Sequence, residues 1–270
     1  MGLVNSTLDV ICDSLGLTEA PTRLPTASEL CVLGDLRKGL NRKLSADNPD
    51  DLRLLTELWN LAVVPHVISR QDSRHTGSEN ESMGKWEKNQ RIRDSAEFSL
   101  SSELWRTYLG FQRSEPLSDF RGGGRLSAEA ILYFSKSPRG KQLQAKCLRR
   151  RASAIAAAGG NSDDTYDSYP LAPAIINMVR HVASLLNVCD AYGRDTEFCA
   201  GSLYDLAKSQ DSFFECVIDG MEIIDDQFLL VNGGYMAFPE VQKRSYTVLR
   251  EFLLLRCEPE SEQSNNNTWE

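Results

Sequence analysis

The feature of this sequence that most constrains its fold is a set of apolar stripes with helical spacing. In the clearest stripe, apolar side chains recur every three or four residues, at Ile175, Met178, Val179, Val182, Leu185 and Leu186. This spacing places all six side chains along one face of a helix. We therefore predict a helix that is central to the core.

A second helix is predicted from about residue 49 to 64. Asn48 is a favourable N-cap, Pro49 suits the first helical position, and two acidic residues follow at the positive end of the helix. A stripe of leucines comes next, and Pro65 is expected to end the helix.

Further helical patterns cover residues 128–134, 203–208, 213–221 and 241–255. In the last of these, five apolar residues are expected on one side of the helix: Val241, Val248, Leu249, Phe252 and Leu255. The sum of these patterns predicts an all-α fold, a single compact domain of many helices.

The segment 228–235 leaves two alternatives open. Its Asn232-Gly233 pair is typical of a tight β-hairpin between apolar runs. The same residue types also end helices, and the chain has no other strand-like segment for a hairpin to join. We prefer a helix that ends near Val231.

Polar stretches set the predicted domain limits. Residues 69–85 and 152–168 lack apolar side chains at a period that could bury a face, so we expect both to be insertions outside the core. We expect residues 1–48 to form an N-terminal extension, residues 49–257 to form the folded domain, and residues 258–270 to form a disordered tail.

Composition excludes several classes of protein. The chain has 30 basic and 38 acidic residues, a net charge of −8, so we expect no nucleic-acid binding. No apolar run approaches the roughly 18 residues that mark a membrane-spanning helix. The 7 cysteines are scattered without a CxxC pair, and the first residues lack the pattern of a signal peptide. We therefore expect reduced thiols and a cytoplasmic location.

Residues for the usual kinds of catalysis are scarce. The chain has 3 histidines, His66, His75 and His181, which is little material for a metal site or a catalytic triad. His181 lies beside an apolar stripe and is interpreted as a residue at the edge of the core. No HExxH, GxSxG or phosphate-binding-loop motif is present. We expect neither a metal nor a cofactor.

One segment, residues 105–134, is unusually dense in distinctive residues: WRTYLGFQRSEPLSDFRGGGRLSAEAILYF. It resembles the signature of the ELMO (engulfment and cell motility) domain, in which a Trp, a short spacer, Gly-Phe-Gln, a Pro and Asp-Phe-Arg-Gly-x-Gly lead into a helix. The matching residues are Trp105, Gly110, Phe111, Gln112, Pro116, Asp119, Phe120, Arg121, Gly122 and Gly124. Similarity extends from about residue 50 to 255. The three aromatic residues of this set are expected in the core.

The resemblance implies two possible functions. Members of the smaller, single-domain branch of the family are GTPase-activating proteins for Arf and Arf-like GTPases, and the arginine that matches Arg121 is their proposed catalytic residue. A GTPase already holds magnesium, the phosphates and the attacking water, so one guanidinium supplied in trans suffices. The alternative is a non-catalytic adaptor or scaffold in small-GTPase signalling, as in the larger branch that joins DOCK-type proteins to activate Rac in cytoskeletal regulation, or in membrane traffic.

The residues around Arg121 are compatible with more than one role. In an extended segment Asp119 and Arg121 would lie on the same side and could pair. Such a pair would either fix the direction of the guanidinium or, if buried, only stabilise the fold. Gly122 to Gly124 remove side chains beside the arginine, which would let the backbone approach a partner.

The sequence begins Met1-Gly2-Leu3-Val4-Asn5-Ser6, which matches the N-myristoylation pattern with Gly2 as the acceptor. One myristoyl chain gives a membrane association constant of only ~10⁴ M⁻¹, so we expect a peripheral membrane contact, with acylation of Cys12 as a candidate second anchor. The alternative is an amphipathic first helix that packs on the domain.

Overall fold

The computed structural model describes residues 22–68, 97–157, 169–190, 192–198, 201–231 and 237–257. Within these ranges the chain is all-α, and extended backbone pairs only as two isolated bridges, Arg23 with Gly201 and Cys189 with Asp195. The elements are α1 (Ala27–Asn41), α2 (Pro49–Ala62), α3 (Glu103–Leu109), a 3₁₀ helix (Pro116–Gly122), α4 (Gly124–Lys136), α5 (Pro138–Ala157), α6 (Leu171–Leu185), a second 3₁₀ helix (Tyr204–Ala207), α7 (Gln210–Leu230) and α8 (Phe238–Cys257).

The helices begin where the sequence supplies N-caps. At α1, Thr26 Oγ1 accepts a hydrogen bond from the Glu29 N–H while the Glu29 carboxylate accepts one from the Thr26 N–H, which closes a capping box. Asn48 caps α2 as predicted, because its side-chain oxygen accepts from two N–H groups of the first turn. α2 ends at Ala62, just before Pro65.

α4 and α6 occupy the centre of the molecule. α4 packs against α1, α2, α5, α6 and α7, and α6 packs in turn against α7 and α8. The predicted stripe on α6 is buried apart from Leu185, since its other five side chains are at most 1% exposed. Each such burial stabilises the fold by roughly 1.5–3 kcal/mol. The prediction of a central helix is confirmed.

The predicted apolar side of α8 is wrong for three of its five residues, while Val241 and Leu249 are buried as predicted. Three of its residues are exposed, namely Val248 (37%), Phe252 (44%) and Leu255 (52%). The buried line instead recurs every four residues, at Val241, Ser245, Leu249 and Leu253. The Ser245 hydroxyl donates to the carbonyl oxygen of Val241 at 2.8 Å, so its burial leaves no unmet hydrogen bond. Because this line contains a serine, the hydrophobic pattern favoured the neighbouring, more apolar face.

The predictions for the end of α7, the polar stretches and the N-terminal extension have different outcomes. α7 ends at Leu230, which confirms the helix over the hairpin; residues 232–236 lie outside the described residues. The stretches 69–85 and 258–270 also lie outside them, while residues 152–157 continue α5 as far as Ala157. α1 falls within the predicted N-terminal extension, yet it contributes Leu33, Leu36 and Leu40 to the core.

The start of α4 is fixed against the end of α1 at Gly124. This residue has a φ of +57°, and a Cβ added to it would lie 2.3 Å from the carbonyl oxygen of Leu40. The next residue, Arg125, donates its N–H to the carbonyl oxygen of Arg42 at 2.8 Å. The buried carboxylate of Asp51 in α2 pairs with Arg42 at 3.0 Å and with Arg125 at 2.5 Å. Three helices therefore meet at a point with no space for a side chain.

This close approach predicts a large cost for Gly124→Ala. We expect the free energy of unfolding to fall by about 2–4 kcal/mol, because the new methyl group meets backbone oxygens and the left-handed conformation is strained for alanine. Gly34→Ala is the matched control: nothing lies within 4 Å of a Cβ there, inside α1. That variant should gain roughly 0.5–1 kcal/mol. Urea denaturation measures both, and a Gly124→Ala variant as stable as the wild type would contradict the packing.

Candidate functional site

The Asp-Phe-Arg-Gly segment lies on the 3₁₀ helix Pro116–Gly122, between α3 and α4. α3 ends at Gly110, whose φ is +69° and whose added Cβ would lie 2.9 Å from the backbone nitrogen of Leu171. The chain therefore turns tightly against the start of α6, in a conformation that favours glycine. Pro116 is buried at the first helical position, where its fixed φ and missing N–H are tolerated.

A row of edge-to-face aromatic rings ties this segment to the core. The ring centroids of Trp59 and Trp105 lie 4.9 Å apart, those of Trp105 and Phe111 5.7 Å, and those of Phe111 and Phe120 5.5 Å. All four rings are at most 2% exposed. The Trp105 indole N–H donates to the carbonyl oxygen of Ser99 at 2.8 Å, which satisfies its polar atom. The motif's aromatic residues are core residues, as predicted.

Asp119 does not pair with Arg121. Its Oδ2 accepts a hydrogen bond from the backbone N–H of Gln112 at 2.7 Å, and its Oδ1 accepts one from the Ser118 hydroxyl at 3.3 Å. The suggested pair assumed an extended backbone, in which residues two apart share a side. The backbone is instead a 3₁₀ helix with three residues per turn, so the two side chains diverge. Asp119 joins the 3₁₀ helix to the Gly-Phe-Gln turn.

Arg121 is exposed, although its neighbour Phe120 is buried. Its Nε–H donates to the carbonyl oxygen of Ser118, one turn earlier, at 2.8 Å. Within the described part of the chain Arg121 has no ion pair, and its two Nη atoms make no hydrogen bond. The guanidinium is thus hydrogen-bonded through its Nε–H, while the N–H groups of its two Nη atoms remain available to a partner.

The glycines that follow the arginine mainly serve contacts within the chain. A Cβ on Gly123 would lie 1.8 Å from Ser127 Oγ, and Gly124 is pressed against α1. Gly122 is exposed, and a Cβ on it would lie 4.0 Å from Arg180 Cδ. The interpretation that these glycines bring the backbone close to a partner is therefore wrong for Gly123 and Gly124.

Arg121 borders an open cleft of about 490 Å³. The cleft lies between the end of α1, the 3₁₀ helix, α6 and the loop that follows α6. Its lining includes Lys43, Arg180, Tyr192 and Gly193. Sequence reasoning missed these four residues because they are far from the motif along the chain. One signal was available, since Arg180 is a charged residue within a largely apolar helix.

His181 and the candidate metal-binding residues form no catalytic arrangement within the described part of the chain. His181 stacks on the ring of Tyr246 at 3.9 Å, and burial lowers the pKa of His181 to about 4, so it is a neutral residue at the edge of the core. Among the described residues no three metal-binding side chains cluster, and none of the helices is long and apolar enough to cross a membrane. Gly2 lies outside the described residues, so its acylation stays a prediction.

The fold and the site together define an all-α domain that presents an exposed arginine beside an open cleft. The model of the ELMO/CED-12 family matches residues 34–242 of this chain. This range covers more than half of the sequence and includes the 3₁₀ helix, so the chain belongs to the ELMO/CED-12 family. No significant match was found among curated proteins or among solved structures.

The role of Asp119 in holding the motif together is testable. Asp119→Ala should leave the Gln112 N–H without its acceptor, and we expect the exchange of that amide with solvent to speed up while the free energy of unfolding falls by about 1 kcal/mol. Glu115→Ala is the control, because Glu115 precedes the same helix without a capping hydrogen bond. Hydrogen exchange followed by NMR checks both variants. Unchanged protection of Gln112 in Asp119→Ala would refute the assignment.

Proposed function

We propose that this chain is a GTPase-activating protein for a small GTPase of the Arf or Arf-like class, and that Arg121 is the catalytic residue it supplies in trans. In this role it acts in the cytoplasm, in membrane traffic. The class of GTPase rests on the resemblance of residues 105–134. The chemistry rests on one observation, the exposed guanidinium of Arg121 with its Nη atoms open.

Phosphoryl transfer needs little from an activating protein. The GTPase positions magnesium, the phosphates and the water, and negative charge is spread over the phosphate oxygens in the transition state. A guanidinium offers planar, parallel N–H donors that can contact two of those oxygens at once. In Arg121 the Nε edge is bound to Ser118, which leaves the Nη edge for a partner.

The segment that carries Arg121 is also suited to present it. Phe120 is fixed in the core, and Asp119 holds the backbone of Gln112, so both residues before the arginine are anchored. A guanidinium on an anchored backbone has less freedom to lose on docking, which lowers the entropic cost of reaching the transition state.

This proposal predicts the behaviour of Arg121→Lys. In single-turnover assays with a panel of GTP-loaded Arf, Arf-like and Rho-family proteins, the wild-type chain should accelerate hydrolysis by at least one Arf-class member by roughly 10³–10⁵-fold. Arg121→Lys should remove most of that acceleration, because an ammonium lacks the planar fork. Its melting temperature should match the wild type, since among the described residues the side chain makes a single surface hydrogen bond.

Arg113→Lys is the matched control. Arg113 is an exposed arginine of the same segment, before the 3₁₀ helix, and its replacement should leave acceleration unchanged. An Arg121→Lys variant with full activity would overturn the catalytic role. Binding of a GTPase without any acceleration of hydrolysis would favour the adaptor function instead.

A further inference from the structure

The cleft beside Arg121 collects positive charge from separate parts of the chain. Lys43 comes from the segment after α1, Arg121 from the 3₁₀ helix and Arg180 from α6. None of the described residues that line the cleft is acidic. In a chain with a net charge of −8, such a concentration of unneutralised positive charge is unexpected.

Arg180 is the least expected of the three cations. It is half-buried, yet within the described residues it has no ion pair. Arg125 and Arg150 are also half-buried, and each of them binds a buried aspartate, Asp51 and Asp225 respectively.

The half-buried Arg151 has no ion pair, but its guanidinium donates to the carbonyl oxygens of Arg106 and Thr107. Arg180 has neither kind of partner among the described residues. A partly buried cation in that position is destabilising, so Arg180 points to a ligand from outside the chain.

The side chain of Arg180 is directed into the cleft by two glycines. Its Cδ would lie 4.0 Å from a Cβ on Gly122, the residue next to Arg121, and its Nη2 would lie 2.8 Å from a Cβ on Gly193. Gly193 has a φ of +79°, and its N–H donates to the carbonyl oxygen of Asp190 at 2.9 Å. A side chain at Gly193 would displace the guanidinium, so the loop is shaped around Arg180.

The acidic residues of the neighbouring loop are already engaged. Asp190 pairs with Arg194 at 2.7 Å, and Asp195 lies 3.9 Å from the guanidinium of Arg37 and accepts a hydrogen bond from Asn41 at 2.9 Å. Neither is left to neutralise Arg180 or Lys43. Within the described residues, neither cation therefore has a counter-charge.

We propose that this cleft binds a carboxylate-bearing loop of the GTPase, with Arg180 as the main positioning residue and Lys43 as a second contact. This inference rests on the proposed function. Leu44, Leu117 and the exposed ring of Tyr192 give the cleft apolar surface beside its charges. A protein loop with acidic and apolar side chains uses both kinds of surface, whereas a bare phosphate group uses only the charges.

Binding of such a loop explains how Arg121 is aimed. Two charged contacts beside the arginine fix the orientation of the GTPase, and complementary charges also raise the rate of productive encounter. Arg180 therefore acts on recognition and does not touch the reacting phosphate. Its loss should affect KM for the GTP-loaded GTPase far more than kcat.

The test is a pair of glutamine variants with a matched control. Arg180→Gln should raise KM about tenfold and weaken direct binding of the GTP-loaded GTPase to the same extent, with kcat within about twofold of wild type. Lys43→Gln should show a smaller rise, and both variants should show a weaker dependence of KM on salt. Arg149→Gln removes an exposed arginine from α5, which contributes nothing to the cleft, and should leave KM unchanged.

The outcomes separate this inference from the proposed function. If Arg121→Lys is inactive while Arg180→Gln and Lys43→Gln keep wild-type KM and binding, the cleft inference is wrong and the proposed function stands. If no GTPase is activated but Arg180→Gln still weakens GTPase binding, the cleft inference stands and the catalytic function is wrong.

If Arg180→Gln releases the chain from phosphatidylserine vesicles but leaves GTPase binding intact, the occupant is a lipid headgroup and the inference is overturned. Lys43→Gln, on an exposed side chain, keeps the test decisive should Arg180→Gln fail to fold.

Discussion

The contact of Gly124 with the carbonyl end of α1 is the constraint on which both the core and the site depend. Gly124 is the first residue of α4, one of the two central helices, and only Gly123 separates it from the 3₁₀ helix. A side chain there would push α4 away from α1 and carry the segment with Arg121 along with it. The buried carboxylate of Asp51 joins α2 to the same point through two guanidinium groups, and losing either one would leave a buried charge poorly paired.

The family motif is therefore mostly structural, and Arg121 is the residue of the motif that the proposed function uses. Trp105, Phe111 and Phe120 are buried against one another, and Asp119 is bound to the backbone of Gln112. Arg121 is the residue of the Asp-Phe-Arg triplet that offers a charged group to solvent. We expect a substitution at the buried positions to act on folding, whereas under the proposed function a substitution of Arg121 acts on GTP hydrolysis alone.

Local sequence patterns predicted the helices correctly. They did not predict features that depend on how distant parts of the chain pack together. α2 and α6 were predictable because a cap and an apolar period are properties of adjacent residues. The buried face of α8 was not predictable, because it includes Ser245, whose hydroxyl is hydrogen-bonded to a carbonyl oxygen of its own helix. The suggested pair of Asp119 and Arg121 failed because the backbone there is a 3₁₀ helix held by the aromatic rings. The cleft could not be predicted from the sequence, since Lys43, Arg180 and Gly193 come together only in the folded chain.

The proposed function requires Arg121 to stabilise the transition state of GTP hydrolysis on a partner. The most direct measurement compares the affinity of the chain for the GTPase carrying GDP and aluminium fluoride, which mimics the transferring phosphate, with its affinity for the GTPase carrying a non-hydrolysable GTP analogue. A group that acts in the transition state binds its mimic more tightly than the ground state. We expect the wild-type chain to bind the aluminium fluoride complex more tightly and Arg121→Lys to show no such preference. Equal affinity of the wild-type chain for the two complexes would contradict it.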